Sequence, residues 1–220
     1  MKLVLQKTLK KIVMKKILMI TLLSLSAIGL HAQATSRTPQ LGVKGGVNIS
    51  SFTGDDFGEV DSRTSFNAGL LAELPLSERF SIQPELLYSG QGFDIQSIDE
   101  DNFLDTDDNI EYQLDYLQMP LLAKVYLISG LSIEAGPVFN VKINEEIDYQ
   151  PNDDDGDINI DPDNSAVKDF DLGLAAGASY KFGTHFFVSG RYNYGFTKIL
   201  KDSDVDVRNS VWQFGLGFMF

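Results

Sequence analysis

The sequence predicts an all-β fold, an eight-stranded antiparallel up-and-down transmembrane β-barrel. Three observations predict it. Stretches that alternate large apolar with small or polar residues recur eight times between Leu41 and Phe220. The segments joining them alternate between long and very short. The polar side of the alternation is rich in glycine. Successive residues of a strand face opposite sides, so each stretch is apolar on one face and small or polar on the other.

The stretches run in order. LGVKGGVNI sets Leu41, Val43, Val47 and Ile49 against Lys44 and Asn48. SFNAGLLAEL sets Phe66, Leu70 and Leu74 against Asn67 and Glu73, and FSIQPELLY sets Phe80, Ile82, Leu86 and Tyr88 against Gln83 and Glu85. IEYQLDYLQMPLLAKVYL opposes Leu117, Leu121, Val125 and Leu127 to Gln118 and Lys124. LSIEAGPVFNVK opposes Ile133, Phe139 and Val141 to Glu134, Asn140 and Lys142. FDLGLAAGASYKF does the same with Phe170, Leu174, Tyr180 and Phe182 against Asp171 and Lys181. HFFVSGRYNYGF sets Phe186, Val188, Tyr192 and Tyr194 against Ser189, Arg191 and Asn193. VWQFGLGFMF closes the set, with Trp212, Phe214, Leu216, Phe218 and Phe220 on one side.

An even strand number with long loops at 50–64, 93–109, 143–168 and 196–208 and turns as short as ISG and FGT gives a barrel two unlike ends. Outer-membrane barrels have this asymmetry. The long segments hold 23 of the 31 acidic residues, all at one end. A soluble eight-stranded lipocalin-like barrel would turn the apolar parity inward around a ligand. The opposite parity decides against it. Gly42, Gly46, Gly69, Gly173, Gly177, Gly215 and Gly217 all lie there, and a narrow lumen requires small residues where a solvated face does not. Lipid then covers the apolar face, because only helices and closed barrels leave no unpaired backbone in hydrocarbon.

Residues 1–34 read as a secretory signal peptide, with 1–13 an extension upstream of a start at Met14. Lys15 and Lys16 precede the 14-residue apolar run Ile17–Leu30, and small residues follow to Ala34. A run of that length is too short for a membrane anchor. Residues 35–220 form the barrel domain. Six lysines leave with the signal, so 12 basic residues face 31 acidic ones in the exported chain, a formal charge of about −19. Such a surface excludes binding of nucleic acid through a basic face. Its natural company is cationic.

Chemistry is sparse. There is no cysteine. Of the two histidines, His31 lies in the signal peptide and His185 in the short turn FGTHF at the expected periplasmic end, so no enzyme is expected. PNDDDGDINIDPDN does not fit an EF-hand, because with Gly156 at position 6 both end positions fall on proline. Loose binding of Ca2+ or Mg2+ by Asp153, Asp155, Asp157, Asp161 and Asp163 is the weak metal reading; no other cofactor is expected. Lys44, Glu73, Glu85, Lys124, Glu134, Lys142, Lys181 and Arg191 share the inward parity. In so narrow a barrel they must pair, since an isolated buried charge is very costly. The expectation is a lumen filled by a salt-bridge network, without a continuous pore.

GVKGGVN at Gly42–Asn48, QPELLYSGQG at Gln83–Gly92, LDYLQMPLLAKVYL at Leu114–Leu127 and the closing GLGFMF together resemble the small outer-membrane β-barrel proteins of Bacteroidetes, a porin family with PorT-like members. The resemblance spans about residue 40 to the end. It implies the outer membrane of a Gram-negative bacterium and contact with lipid and lipopolysaccharide. It also implies barrel-insertion machinery that reads the terminal aromatic residues Phe218 and Phe220. Three roles fit: a non-enzymatic structural or surface-interaction protein, a narrow channel for small solutes, and an accessory subunit of a secretion machine.

Overall fold

The structure, a computed structural model, describes residues 38–53, 61–95, 110–148, 157–160, 165, 167–199 and 207–220. Nine strands are described: β1 (Gln40–Thr53), β2 (Asp61–Pro75), β3 (Phe80–Ile95), β4 (Ile110–Tyr126), β5 (Leu131–Asp148), β6 (Asp157–Asn159), β7 (Phe170–Phe182), β8 (Phe186–Gly195) and β9 (Arg208–Met219). Eight of them close a barrel. Every neighbour is antiparallel, each strand pairs with the next around the ring, and β9 returns to β1 along Gly42↔Met219 through Thr53↔Arg208. Closure leaves the ring without an edge strand. The signal peptide expected at 1–34 lies outside the described residues.

The eight expected stretches are the eight barrel strands. β4 begins at Ile110 as the alternation places it, while β3 and β5 are longer than it suggested at the long-loop end and run on to Ile95 and Asp148. There β7 no longer accompanies β5, and the short strand β6 takes its place through Glu146↔Asn159, Ile147↔Ile158 and Asp148↔Asp157. This ninth strand arises inside what the sequence reads as loop. Three residues carry too few alternations to register as a period.

Parity follows the burial. Leu216 is 68% exposed, and Leu41, Phe66, Leu70, Phe186, Trp212 and Phe214 also present their side chains outward. Arg191 is 1% and Gln213 0% exposed on the other face of the same wall. An outward apolar band with an inward polar filling is the inverse of a soluble protein and the pattern of a membrane barrel. Aromatic pairs brace the outer face at both ends. Tyr192 packs on Trp212 with ring centroids 5.0 Å apart, and Phe186 meets Phe218 edge-on at 5.0 Å.

Two features shape the wall. The β3 with β4 ladder is interrupted between Pro84↔Leu121 and Leu87↔Gln118, next to Pro84 and Pro120, which have no N–H to donate. Register shifts fall between Ser62 and Asn67 in β2 and at Asp115/Tyr116 in β4. Such irregularities add local twist and curvature, which a narrow closed barrel needs.

Candidate functional site

The inward side chains stack in layers from one mouth to the other. At the short-turn mouth Glu73 is the hub. Lys181 Nζ lies 2.8 Å from its Oε2, Ser81 Oγ donates to Oε1 at 3.1 Å, and Tyr126 OH also donates to Oε1. Beside this hub Leu71, Phe187 and Met219 form a small apolar seal. Glycine makes the seal fit: a Cβ at Gly217 would come within 2.1 Å of Phe187 Cζ.

The next layer carries the densest charge. Arg191 grips Glu85 with both ends of its guanidinium, Nη1 to Oε2 at 3.0 Å and Nη2 to Oε1 at 2.8 Å. Its Nε faces Glu134 Oε1 at 3.4 Å, and Lys124 Nζ stands 3.9 Å from Glu134 Oε2. Lys124 also donates to Gln83 Oε1 at 3.0 Å, and Gln83 in turn donates to Glu85 Oε1 at 2.6 Å. Bidentate geometry and supporting hydrogen bonds are what a buried ion pair requires to offset its desolvation. All of these side chains are buried.

Lys44 departs from the expected pairing. Its Nζ is buried with no hydrogen-bond partner and makes no direct ion pair among the described residues. It feels the fields of Glu85 and Glu134 at longer range. Its stem runs over Gly215, where a Cβ would lie 2.6 Å from Lys44 Cε. Lys142 departs differently. It belongs to the long-loop mouth, ion-paired to Glu145 and, at 3.8 Å, to Asp169.

Above the charged layer comes a layer of amides. Gln213 Nε2 donates to Gln118 Oε1 at 3.0 Å, and Asn67 Nδ2 donates to Asn48 Oδ1 at 2.6 Å. Asn48 Nδ2 donates to Gly90 O at 2.7 Å. Asn140 Nδ2 donates to Asp171 Oδ2 at 3.0 Å, while Thr197 Oγ1 donates to Asp171 Oδ1.

The long-loop mouth is closed by a feature that the alternation did not disclose. Phe52, Phe93, Leu114 and Tyr116 turn inward and pack with Val167, Ile199 and Val207 into an apolar cap. The last three come from the long connections, folded back over the bore. Backbone bonds hold them, Lys168 N to Ile199 O at 2.8 Å and Ile199 N to Val207 O at 2.9 Å. Lys142 Nζ pins the same strap by donating to Val167 O at 3.1 Å. Phe52, Phe93, Leu114 and Tyr116 all lie on the inward parity of β1, β3 and β4, so counting parity beyond Ile49 and Tyr88 and below Leu117 would have found four of the cap residues.

Asp153, Asp155, Asp161 and Asp163 lie outside the described residues, and of Asp157 only the backbone in β6 is described. Among the described residues no group of three or more His, Cys, Asp or Glu side chains is placed to hold a metal. His185 is an exposed turn residue, its Nδ1 2.7 Å from Thr184 Oγ1 and its ring stacked on Phe218. Phe218 and Phe220 stack edge-on at 5.5 Å where the wall ends.

A closed antiparallel wall, apolar outside and packed with ion pairs inside, defines an outer-membrane β-barrel. The chain belongs to the outer membrane protein beta-barrel domain family, which it matches over residues 31–201, and its place is the outer membrane. Solved structures of the same fold include Neisserial surface protein A. It is 13% identical with a TM-score of 0.53, over 84% of this chain and 100% of its own. Ail, the attachment invasion locus protein of Yersinia pestis, is 13% identical with a TM-score of 0.49 over 84% and 100%. OprG from Pseudomonas aeruginosa is 15% identical with a TM-score of 0.44 over 84% and 97%. At 13% identity the likeness to Neisserial surface protein A is one of fold. No curated protein matches the chain in sequence.

Proposed function

We propose that this protein is a non-enzymatic surface barrel that works through its long acidic loops and not through its bore. The observation that carries this reading is the Arg191–Glu85 pair, bidentate and buried across the middle of the lumen. An eight-stranded barrel is just wide enough for side chains to fill. Here a charged layer fills it between an apolar seal and an apolar cap. A solute would have to break ion pairs in a low-dielectric interior to pass. The outer partners suited to the acidic long-loop end are cationic: divalent ions held loosely around Asp153–Asp163, the ion-bridged lipopolysaccharide layer, or a basic protein surface. The Bacteroidetes, PorT-like resemblance belongs to the same reading. In this reading both ends of the barrel domain lie on the periplasmic side with the short turns, and Phe218 and Phe220 serve in insertion.

Planar-bilayer recording of the purified protein tests it. Silent membranes are the expected result. Steady, reproducible conductance steps would replace this reading with a narrow channel for small solutes.

A further inference from the structure

One small cavity in the upper lumen is built from atoms that lack partners. It measures about 10 Å3 and lies just beneath the apolar cap, lined among others by Gln118, Asn140, Asp171, Asn193 and Asn209. Asn140, Asn193 and Asn209 come from β5, β8 and β9, and each is more than nine-tenths buried. Their Oδ1 atoms are all without a hydrogen-bond partner, and so is Asn193 Nδ2. Asn193 is thus held at neither end of its amide, and either end is free to face the cavity. Gln118 Nε2 is the one other orphaned donor among the lining residues.

Asp171 completes the set. Its carboxylate is buried and accepts from Asn140 Nδ2 and Thr197 Oγ1, yet no Lys or Arg is ion-paired to it among the described residues. The cations of the neighbouring layers are already engaged, Arg191 by Glu85 and Glu134 and Lys142 by Glu145 and Asp169. Two hydrogen bonds do not replace a counter-charge in a water-excluded interior.

We propose that this cavity is a binding site for a single small hard cation of sodium size, with the amide oxygens of Asn140, Asn193 and Asn209 as donors and Asp171 supplying the balancing charge. The volume is that of one water-sized particle. The donors are all oxygen, which selects hard cations over soft ones. One carboxylate balances one positive charge, whereas a divalent ion would leave an excess buried beneath Phe93 and Tyr116. A water molecule would satisfy the orphaned amides equally well but would leave Asp171 without its counter-charge. In that position the ion acts structurally, joining three strands of the wall directly below the strap that closes the mouth.

Thermal unfolding of the folded barrel in detergent, in sodium chloride against choline chloride at equal ionic strength, reads the site. The expected result is a midpoint higher by about 5 °C or more in sodium once the ion is in large excess over its Kd. Asp171→Asn should abolish that difference. Should Asp171→Asn fail to fold, crystals of the unaltered protein soaked in thallium(I) carry the test, with an anomalous peak expected among the three asparagines. Equal midpoints in the two salts, or a soaked crystal with no anomalous peak in the cavity, would overturn the proposal and assign the cavity to a trapped water.

Discussion

Arg191 in β8 and Glu85 in β3 are 106 residues apart in sequence and meet in the centre of the bore through two hydrogen bonds of 3.0 and 2.8 Å. Each is the other's principal partner in an interior that has few alternatives. Removing one leaves a buried charge exposed to a low-dielectric medium. Glu85→Gln should therefore destabilise the barrel by about 3–5 kcal/mol, and Glu85→Gln with Arg191→Met by less. Urea unfolding followed by tryptophan fluorescence, with Trp212 as the only tryptophan, measures both. A double variant less stable than the single one would mean that the pair is not the unit holding the layer.

Gly217 and Phe187 are matched in size. Because the missing Cβ would fall 2.1 Å from the Phe187 ring, Gly217→Ala should cost about 1–3 kcal/mol through overpacking. Phe187→Ala in the same chain should recover part of that loss. Two additive losses on the unfolding curve would show that the seal tolerates the extra methyl by another route.

Lys142 ties the strap to the wall. Lys142→Met should leave the lower barrel intact and raise hydrogen exchange at Val167 and Lys168, because it removes the ion pair to Glu145 and the bond to Val167 O. Exchange that rises equally in β1 and β9 would instead indicate global loss of stability.

Deleting 151–164 should lower calcium binding by intact cells or by the purified protein, measured with a radioactive tracer. Unchanged binding would remove these aspartates from the divalent reading.

Deleting Phe220 should reduce the amount of barrel inserted in vivo while leaving refolding in detergent nearly unchanged, since Phe220 is largely exposed and contributes chiefly the backbone bond to Leu41 O and its packing on Phe218. Boiled and unboiled samples on a denaturing gel separate the folded from the unfolded form. Equal loss in both settings would make Phe220 a stability residue.

The wall was legible because its code is simple. Period-two alternation over ten or so residues is enough to assign each strand and each face, and Trp212 and Gln213 fall as their parity dictates. The lumen was legible only as a set of inward charges. Which carboxylate meets which cation depends on strand stagger across the bore, as when Arg191 reaches Glu85 and Lys181 reaches Glu73, 108 residues away. Alternation carries no record of stagger. The cap was hidden for another reason. Val167, Ile199 and Val207 are single apolar residues in polar connections, and nothing local distinguishes a residue folded back into the bore from one left in solvent.

The interior pairing also bears on how the chain is assembled. Glu85, Glu134 and Arg191 arrive on three strands that are not neighbours in the sheet, so no single hairpin satisfies them. A half-built sheet would present a lone guanidinium toward hydrocarbon, at a cost that only the completed ring removes. Insertion strand by strand into bare lipid is thereby penalised. The charges that fill the finished bore therefore favour the register in which Arg191 meets Glu85 and Glu134 over registers that leave it unpaired.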